Sequence, residues 1–248
     1  YSTLAHGRVS IVHRTCYEVI SGNGLFQCEL TGNMMYGKSD DELPCTGDWV
    51  IFQPFDEHKG IIVDSLPRER TLYRKKSGTV ADKQVIASYV DKAFIVQSLD
   101  DNFNVRRVER FMVQIMEENI SSVLVLNKAD LDFDRQSVKE QIKHISSQIP
   151  VFFTSIHQLE TIVRLRKSIS EGETVVFVGS SGVGKSSLVN ALCEKPVLLT
   201  SDISLSTGKG RHTSTRREMV LMDSSGVLID TPGVREFGLA IDLSLIHI

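Results

Sequence analysis

The chain has 248 residues, 41% hydrophobic and 24% charged, which is typical of a globular protein with one large or two modest domains. No apolar run approaches the ~18–20 residues that span a membrane, and the first residues lack the apolar segment of a signal peptide. The net charge of −3 argues against a generic polyanion binder. The four scattered cysteines lack zinc-site spacing, which favours free thiols in a reducing, cytoplasmic compartment.

Residues 1–70 are predicted to form a small β-barrel domain. Short segments of β-forming residues alternate with Gly, Asn and Asp turns, without a helical period. An OB-type barrel is the commonest architecture for five such strands, and this class binds nucleic acids. The predicted strands cover 7–14, 16–21, 24–32, 48–55 and 59–66.

From residue 86 the pattern changes to strands that alternate with helices. Apolar strands are predicted at 92–98, 121–127, 150–155, 173–179, 217–222 and 226–230, with helices at 105–119, 135–148, 159–169 and 185–193. This alternation predicts an α/β domain over 86–241, with a mostly parallel sheet and helices on both faces. Residues 71–85 are expected to be a basic linker, and 242–248 a truncated or foreign tail. Basic segments lie at 68–76 and 208–217.

The segment 179–186 matches GxxxxGK[ST] at every fixed position, between a predicted strand and a predicted helix. Its backbone N–H groups and the following helix N-terminus are suited to phosphate oxygens. Lys185 is expected to reach the β- and γ-phosphates and to act in catalysis, and Ser186 to ligate Mg²⁺. The nucleotide-binding residues expected here are Gly179, Ser180, Ser181, Gly182, Val183, Gly184, Lys185, Ser186 and Ser187.

A second nucleotide signal, Asn127-Lys128-Ala129-Asp130, follows a predicted strand. The Asp130 carboxylate accepts two N–H groups at once, and guanine offers such a pair on one edge whereas adenine does not. Asn127 is expected on the O6/N7 side of the base, with the Lys128 stem over the ring. Thr154 and Ser155, after the next strand, are expected to support the base through backbone N–H groups.

Asp230-Thr231-Pro232-Gly233 follows the predicted strand 226–230. Asp230 stands where a carboxylate would hold the Mg²⁺ shell, and the Gly233 N–H could contact the γ-phosphate. The segment 208–215 should supply a threonine to the metal, and the sequence does not distinguish Thr213 from Thr215.

Val234 occupies the position where Ras-like enzymes have a glutamine that orients the attacking water. Because valine cannot hydrogen-bond water, either intrinsic hydrolysis is slow or another residue acts. His212 is the candidate catalytic residue, since imidazole can accept a proton near neutral pH. A lone histidine in a loop is as often merely exposed.

The motifs occur in an unusual order, because the base-reading segment precedes the phosphate-binding segment. A circular permutation would produce this order, since strands of a doubly wound sheet can keep their places when the chain ends are moved.

The chain resembles the ribosome small-subunit-dependent GTPase A (RsgA/YjeQ) family over about residues 5–241. The segments that carry the resemblance are 84–98, NKADL, GSSGVGKSSL, GKGRHTSTRRE and DTPGVREFGL. The resemblance implies an OB-fold, a circularly permuted P-loop GTPase domain and a C-terminal zinc domain. It also implies binding to the 30S ribosomal subunit and its 16S rRNA, GTP hydrolysis stimulated by the subunit, and a role in late subunit maturation. The zinc ligands are absent from this sequence, which ends AIDLSLIHI.

The leading hypothesis is therefore a monomeric, Mg²⁺-dependent enzyme that hydrolyses GTP to GDP and has no membrane partner. One alternative is a nucleotide-gated switch that binds RNA or ribosomes with negligible turnover. Another is an ATPase, for which Asp130 would be irrelevant to nucleotide preference.

Overall fold

The computed structural model describes residues 3–39, 41–75, 83–198, 216–223 and 226–233. The N-terminal part is a closed five-stranded barrel in the order β1-β2-β3-β5-β4, with β4 pairing back to β1. Only the β3–β5 pair is parallel among these strands. The strands are β1 (Ala5–Val12), β2 (Tyr17–Ser21), β3 (Gly24–Leu30), β4 (Trp49–Asp56) and β5 (Lys59–Ser65). All five predicted strands are present, in an arrangement consistent with an OB-fold.

Apolar residues on alternate strand positions fill the barrel, as the period of a β-strand requires. Val9, Val50 and Ile62 are fully buried there, and the rings of Phe26 and Phe52 lie 5.0 Å apart. A short helix that the sequence did not predict, α1 (Gly32–Gly37), connects β3 to β4.

Two further strands, β6 (Leu72–Lys75) and β7 (Lys83–Ala87), form a separate antiparallel sheet. Leu72, Ile86 and Ala87 are buried in the same cluster as the helices of the α/β part. The described part of 71–85 thus carries β-structure that packs into a core, which its basic composition did not indicate.

The α/β part contains a six-stranded sheet in the order β10-β9-β8-β11-β13-β12. The five strands from β10 to β13 are parallel, and β12 runs antiparallel to β13. Its strands are β8 (Lys92–Ser98), β9 (Ser121–Asn127), β10 (Val151–Phe153), β11 (Thr174–Val178), β12 (Glu218–Leu221) and β13 (Val227–Asp230). Its helices are α2 (Val105–Glu117), α3 (Arg135–Gln141), α4 (Lys143–Ser146), α5 (Leu159–Arg166) and α6 (Lys185–Cys193).

Helices cover both faces of this sheet, as predicted. On one face, Phe111 of α2 and Ile145 of α4 belong to the cluster that contains Ile95 of β8. On the other, Leu165 of α5 and Leu188 of α6 belong to the cluster of Phe94. The alternation of Phe94 and Ile95 places successive side chains of one strand on opposite faces.

The helix predicted as continuous over 135–148 is instead two short helices, which corrects that prediction. Asp134 caps α3 by accepting from the N–H groups of Gln136 and Ser137. The backbone leaves helical geometry at Ile142, whose ψ is 4°, before α4 begins. Val138, Ile142 and Ile145 are buried at the i, i+4, i+7 spacing of one helical face, so the two helices together still present the predicted apolar face.

The barrel and the α/β sheet are joined by hydrogen bonds. Strand β1 also pairs with β12, at Ile11 and Glu218. The buried Arg8 guanidinium of β1 donates to the Gly47 carbonyl at 3.1 Å and to Thr174 Oγ1 of β11 at 2.9 Å. No helix in the described ranges is long and apolar enough to cross a membrane.

Candidate functional site

The segment 179–186, here called the phosphate loop, connects β11 to α6 at the carboxyl edge of the parallel strands. Open α/β sheets bind ligands at this edge. Gly184 precedes the first residue of α6 with a φ of +91°, and a Cβ there would lie 2.4 Å from Asn127 Nδ2. The loop therefore needs glycine at this position both for backbone conformation and for space.

Lys185 is the first residue of α6, and only 6% of its surface is exposed. Its ammonium donates to the carbonyls of Gly179 at 3.0 Å and Ser180 at 2.9 Å. Burial lowers the pKa of Lys185 to about 8, against an opposing effect of Asp230. The lysine is thus held at the loop by carbonyls, and an anionic ligand would favour its charged form.

Ser186 and Asp230 lie together at the other side of the loop. The Ser186 hydroxyl donates to Asp230 Oδ2 at 2.7 Å, and Asp230 is 2% exposed. Burial raises the pKa of Asp230, although the Ser186 hydrogen bond acts in the opposite direction. Asp230 Oδ1 is buried and has no hydrogen-bond partner among the described residues. This hydroxyl and carboxylate fit Mg²⁺, which binds oxygen ligands and retains several waters that could contact the carboxylate.

The segment 127–130, here called the base loop, follows β9 and contacts the phosphate loop directly. The Asn127 amide donates from Nδ2 to the Val183 carbonyl at 2.9 Å, and its Oδ1 accepts from Thr154 Oγ1 at 3.3 Å. Asn127 is 3% exposed. Asn127 therefore links the two loops, and the second hydrogen of its Nδ2 is left for the O6/N7 side of a base, the role predicted from sequence.

Asp130 remains exposed on the same loop. A hydrogen bond from Ser155 lowers the pKa of Asp130, although burial slightly opposes this effect. Ala129 N–H donates to the Thr154 carbonyl at 3.0 Å, which fixes the loop beside the end of β10. The ionised, accessible carboxylate can accept the paired N–H groups of a purine edge.

Gly233 follows β13 and approaches the phosphate loop. A Cβ on Gly233 would lie 2.5 Å from Ser181 Cα, so only a glycine allows this contact. Thr231 Oγ1 donates to the Phe177 carbonyl of β11 at 2.6 Å and fixes the segment that precedes Gly233. Among the residues predicted from sequence, His212, Thr213, Thr215 and Val234 lie outside the described residues.

Three residues after β8, which were not predicted from sequence, also contact this site. Asp100 forms an ion pair with Lys128 at 2.9 Å. Asn102 Nδ2 donates to Ser180 Oγ at 3.1 Å, and Arg107 Nη1 lies 3.3 Å from the same oxygen. Polar residues directly after a buried parallel strand were the available signal, because that position lies at the ligand-binding edge.

Comparison with known proteins agrees with this geometry. The RsgA GTPase family model matches residues 65–240, more than half of the chain. The chain belongs to the RsgA GTPase family. It is therefore a GTP-hydrolysing enzyme, which confirms both the resemblance and the enzyme class predicted from sequence. The segment 127–130 precedes the phosphate loop along the chain, which is the order of a circularly permuted GTPase.

Curated relatives cover nearly the whole chain. A Bacteroides thetaiotaomicron protein named small ribosomal subunit biogenesis GTPase RsgA 1 is 76% identical over 98% of this chain. Two further small ribosomal subunit biogenesis GTPases, RsgA 1 from Oceanobacillus iheyensis and RsgA from Methanosarcina acetivorans, are 37% and 38% identical, each over 94% of this chain. The chain spans about two thirds of these relatives, namely 68%, 67% and 63% of their lengths.

Two solved structures share the fold. YjeQ from Thermotoga maritima superposes with a TM-score of 0.69 at 25% identity, over 93% of this chain and 75% of that one. YloQ, described as a circularly permuted GTPase, superposes with a TM-score of 0.63 at 21% identity, over 96% and 74%. Within the described ranges, no cluster of three or more His, Cys, Asp or Glu side chains could hold a metal ion.

Proposed function

We propose that this chain binds GTP and Mg²⁺ at the joined base and phosphate loops, and that GTP hydrolysis there serves small-subunit biogenesis. The observation that carries the proposal is the hydrogen bond from Asn127 Nδ2 to the Val183 carbonyl. It brings two motifs separated by about fifty residues, in reversed chain order, into one site.

The phosphate loop holds the nucleotide phosphates in this proposal. Backbone N–H groups of 180–187 and the N-terminus of α6 surround the phosphate oxygens. Lys185 leaves the carbonyls of Gly179 and Ser180 to contact the β- and γ-phosphates. Ser186, together with either Thr213 or Thr215, ligates Mg²⁺, and Asp230 orients the metal's water shell.

The base loop selects guanine. Asp130 accepts the ring N1–H and the exocyclic amine, and the stem of Lys128 covers one face of the ring. The backbone of Thr154 and Ser155 closes the other side of the pocket. Adenine lacks this donor pair and leaves the Asp130 carboxylate without partners, so ATP binds poorly.

Catalysis requires positioning and charge stabilisation, because phosphoryl transfer leaves little covalent work for the protein. Lys185 stabilises charge on the phosphate oxygens, and the Gly233 N–H contacts the γ-phosphate. Mg²⁺ held at Ser186 would supply further positive charge there. Val234 cannot orient water, so His212 takes that role. The rate is low until the partner is bound.

The partner in this proposal is the small ribosomal subunit, which is supported by the curated relatives being named small ribosomal subunit biogenesis GTPases. The barrel (1–70) and the basic segments 68–76 and 208–217 contact 16S rRNA, chiefly through phosphates and unpaired bases. Residues 86–241 form the GTPase domain. The protein acts as a cytoplasmic monomer, and several weak contacts together give its affinity for the subunit.

Single-turnover GTP hydrolysis, measured with and without purified small subunits, tests this proposal. We expect subunits to accelerate hydrolysis, and His212→Ala to lower the stimulated rate by about 100-fold or more without changing GTP affinity. His144→Ala, which removes an exposed imidazole from helix α4, is the matched control. If subunits have no effect and His212→Ala hydrolyses GTP like the wild type, a nucleotide-gated switch with negligible turnover replaces the enzymatic mechanism.

A further inference from the structure

The loop between β8 and α2 lies between the base loop and the phosphate loop, and its polar side chains contact both. At one end, Asp100 Oδ2 accepts from Lys128 Nζ at 2.9 Å. At the other, Asn102 Nδ2 donates to Ser180 Oγ at 3.1 Å. This connection is separate from the one that Asn127 makes to Val183.

The Asp100 carboxylate is held rigidly. Its Oδ1 accepts from the Ser98 hydroxyl at 2.6 Å and from the Asn102 N–H at 3.0 Å. Arg107 Nη1 in turn donates to the carbonyl of Asn102 at 3.1 Å and to its Oδ1 at 3.0 Å. Burial raises the pKa of Asp100, but hydrogen bonds from Lys128 and Ser98 outweigh it, and the pKa lies below its usual value. The carboxylate is therefore ionised at neutral pH and fixed in direction.

Lys128 combines an unfavourable backbone conformation with a partly exposed side chain. Its φ is +61°, in the left-handed region that costs a non-glycine residue about 1–2 kcal/mol. About 36% of its side chain is exposed, so packing alone does not fix the four-carbon stem. The ion pair with Asp100 restricts the directions in which that stem can lie.

We propose that Asp100 is a positioning residue for guanine nucleotides, which acts by holding the Lys128 stem in place over the base. The inference rests on the proposed role of the base loop in binding guanine. Asp100 itself touches no part of the nucleotide. Its contribution is preorganisation, since a stem that is already fixed loses less conformational entropy when the base binds.

If Asp100 acted only through its negative charge, neutralising it would have the opposite effect on nucleotide binding. The nucleotide phosphates are anionic, so neutralising a nearby carboxylate should strengthen binding through long-range Coulomb forces. Positioning through Lys128 predicts weaker binding when the same carboxylate is neutralised. The direction of the change therefore separates the two effects.

The test measures release of a fluorescent methylanthraniloyl-GDP from the nucleotide-loaded protein, chased with excess GDP. Asp100→Asn keeps the shape of the side chain and is expected to speed release about three- to tenfold, because a partly exposed ion pair contributes only modestly. Asp101→Asn is the matched control, since it removes the same charge from the exposed neighbouring residue. We expect its release rate to equal that of the wild type or to be slower.

A second pair of variants separates positioning from general damage to the fold. In a Lys128→Met background, Asp100→Asn should change the release rate by less than about 1.5-fold, because the group it positions is gone. The proposal is overturned if Asp100→Asn releases GDP no faster than Asp101→Asn, or if its effect persists undiminished beside Lys128→Met. Failure of the wild type to bind the GDP probe at all would instead refute the proposed function.

Discussion

The protonation state of the buried Lys185 is expected to depend on whether a phosphate is bound beside it. The ammonium lies in a nearly closed environment with two carbonyl partners, and burial lowers its pKa to about 8. A phosphate beside it would favour the charged form and raise the pKa. Nucleotide binding and protonation of this lysine are therefore linked.

From this linkage we predict pH-dependent nucleotide affinity. Below pH 7 the lysine is already protonated, so it adds no pH dependence to the Kd of GDP. Above pH 8 the free protein has lost the proton, and binding must take one up. The Kd should therefore weaken several-fold between pH 7 and pH 8.8, approaching tenfold per pH unit.

Calorimetry in buffers of different ionisation enthalpy measures this proton uptake directly. Lys185→Arg provides the control, because its guanidinium stays protonated and should remove the pH dependence whatever its absolute affinity. A Kd for the wild type that is constant over this pH range would show that Lys185 is fully charged before nucleotide binds.

At the scale of elements, the carboxyl ends of β8, β9, β11 and β13 each contribute one polar segment to the site. The contacts between these segments are tight. The base loop approaches the start of α6 so closely that Gly184 faces Asn127 without room for a methyl group. Glycine is therefore required at position 184 for two reasons: the turn needs its backbone conformation, and the base loop needs the space to pack against the start of α6.

We predict that Gly184→Ala destabilises the nucleotide-free protein by about 2 kcal/mol or more. About 1 kcal/mol comes from the left-handed backbone, and the remainder from displacement of Asn127 from the Val183 carbonyl. Urea unfolding measures the change. Gly182→Ala is the matched control, since its φ is +81° but nothing lies within 4 Å of its Cβ. Equal losses for the two variants would contradict the proposed contact.

Most strands and helices could be predicted from sequence because their signals are local. The strands Lys92–Ser98 and Ser121–Asn127 are continuous apolar runs, and the structure has them at the predicted bounds. Helix α1 was missed because its six residues begin and end with glycine and bury only Met34. The break at Ile142 was missed because the buried Val138, Ile142 and Ile145 keep the i, i+4, i+7 spacing of a continuous helix.

The site was partly predictable for the same reason. The residues of the two loops follow from the chemistry of phosphates and guanine, and the structure brings Asn127, Lys185 and Asp230 to one edge of the sheet. The contact of Asp100 with Lys128 could not be predicted, because 28 residues separate them along the chain and only strand order makes them neighbours. Side-chain partners of this kind depend on tertiary structure.

At the scale of the whole molecule, the base loop and the phosphate loop occur in reversed order along the chain. The order of the strands in the sheet nevertheless brings them together at one site. The sheet keeps β9 and β11 on either side of β8, so the base loop and the phosphate loop meet although the base loop comes first. The barrel is bonded to the same sheet through Arg8 and through the β1–β12 pair. A partner bound to the barrel would thus be connected to β12, the strand that pairs with β13 and begins at Glu218 opposite Asp230.

The most direct test of the central claim, that the two motifs form one guanine-selective site, is the affinity of Asp130→Asn for GDP and for xanthosine diphosphate. Xanthine carries a carbonyl in place of the exocyclic amine of guanine, so an amide at position 130 can donate to it whereas a carboxylate cannot. We predict that Asp130→Asn loses about 100-fold in GDP affinity and binds xanthosine diphosphate more tightly than the wild type does. Asp132→Asn, an exposed acid two residues away, should bind both nucleotides like the wild type. An Asp130→Asn protein that keeps wild-type affinity for GDP would contradict the claim that the base loop reads the nucleotide held by the phosphate loop.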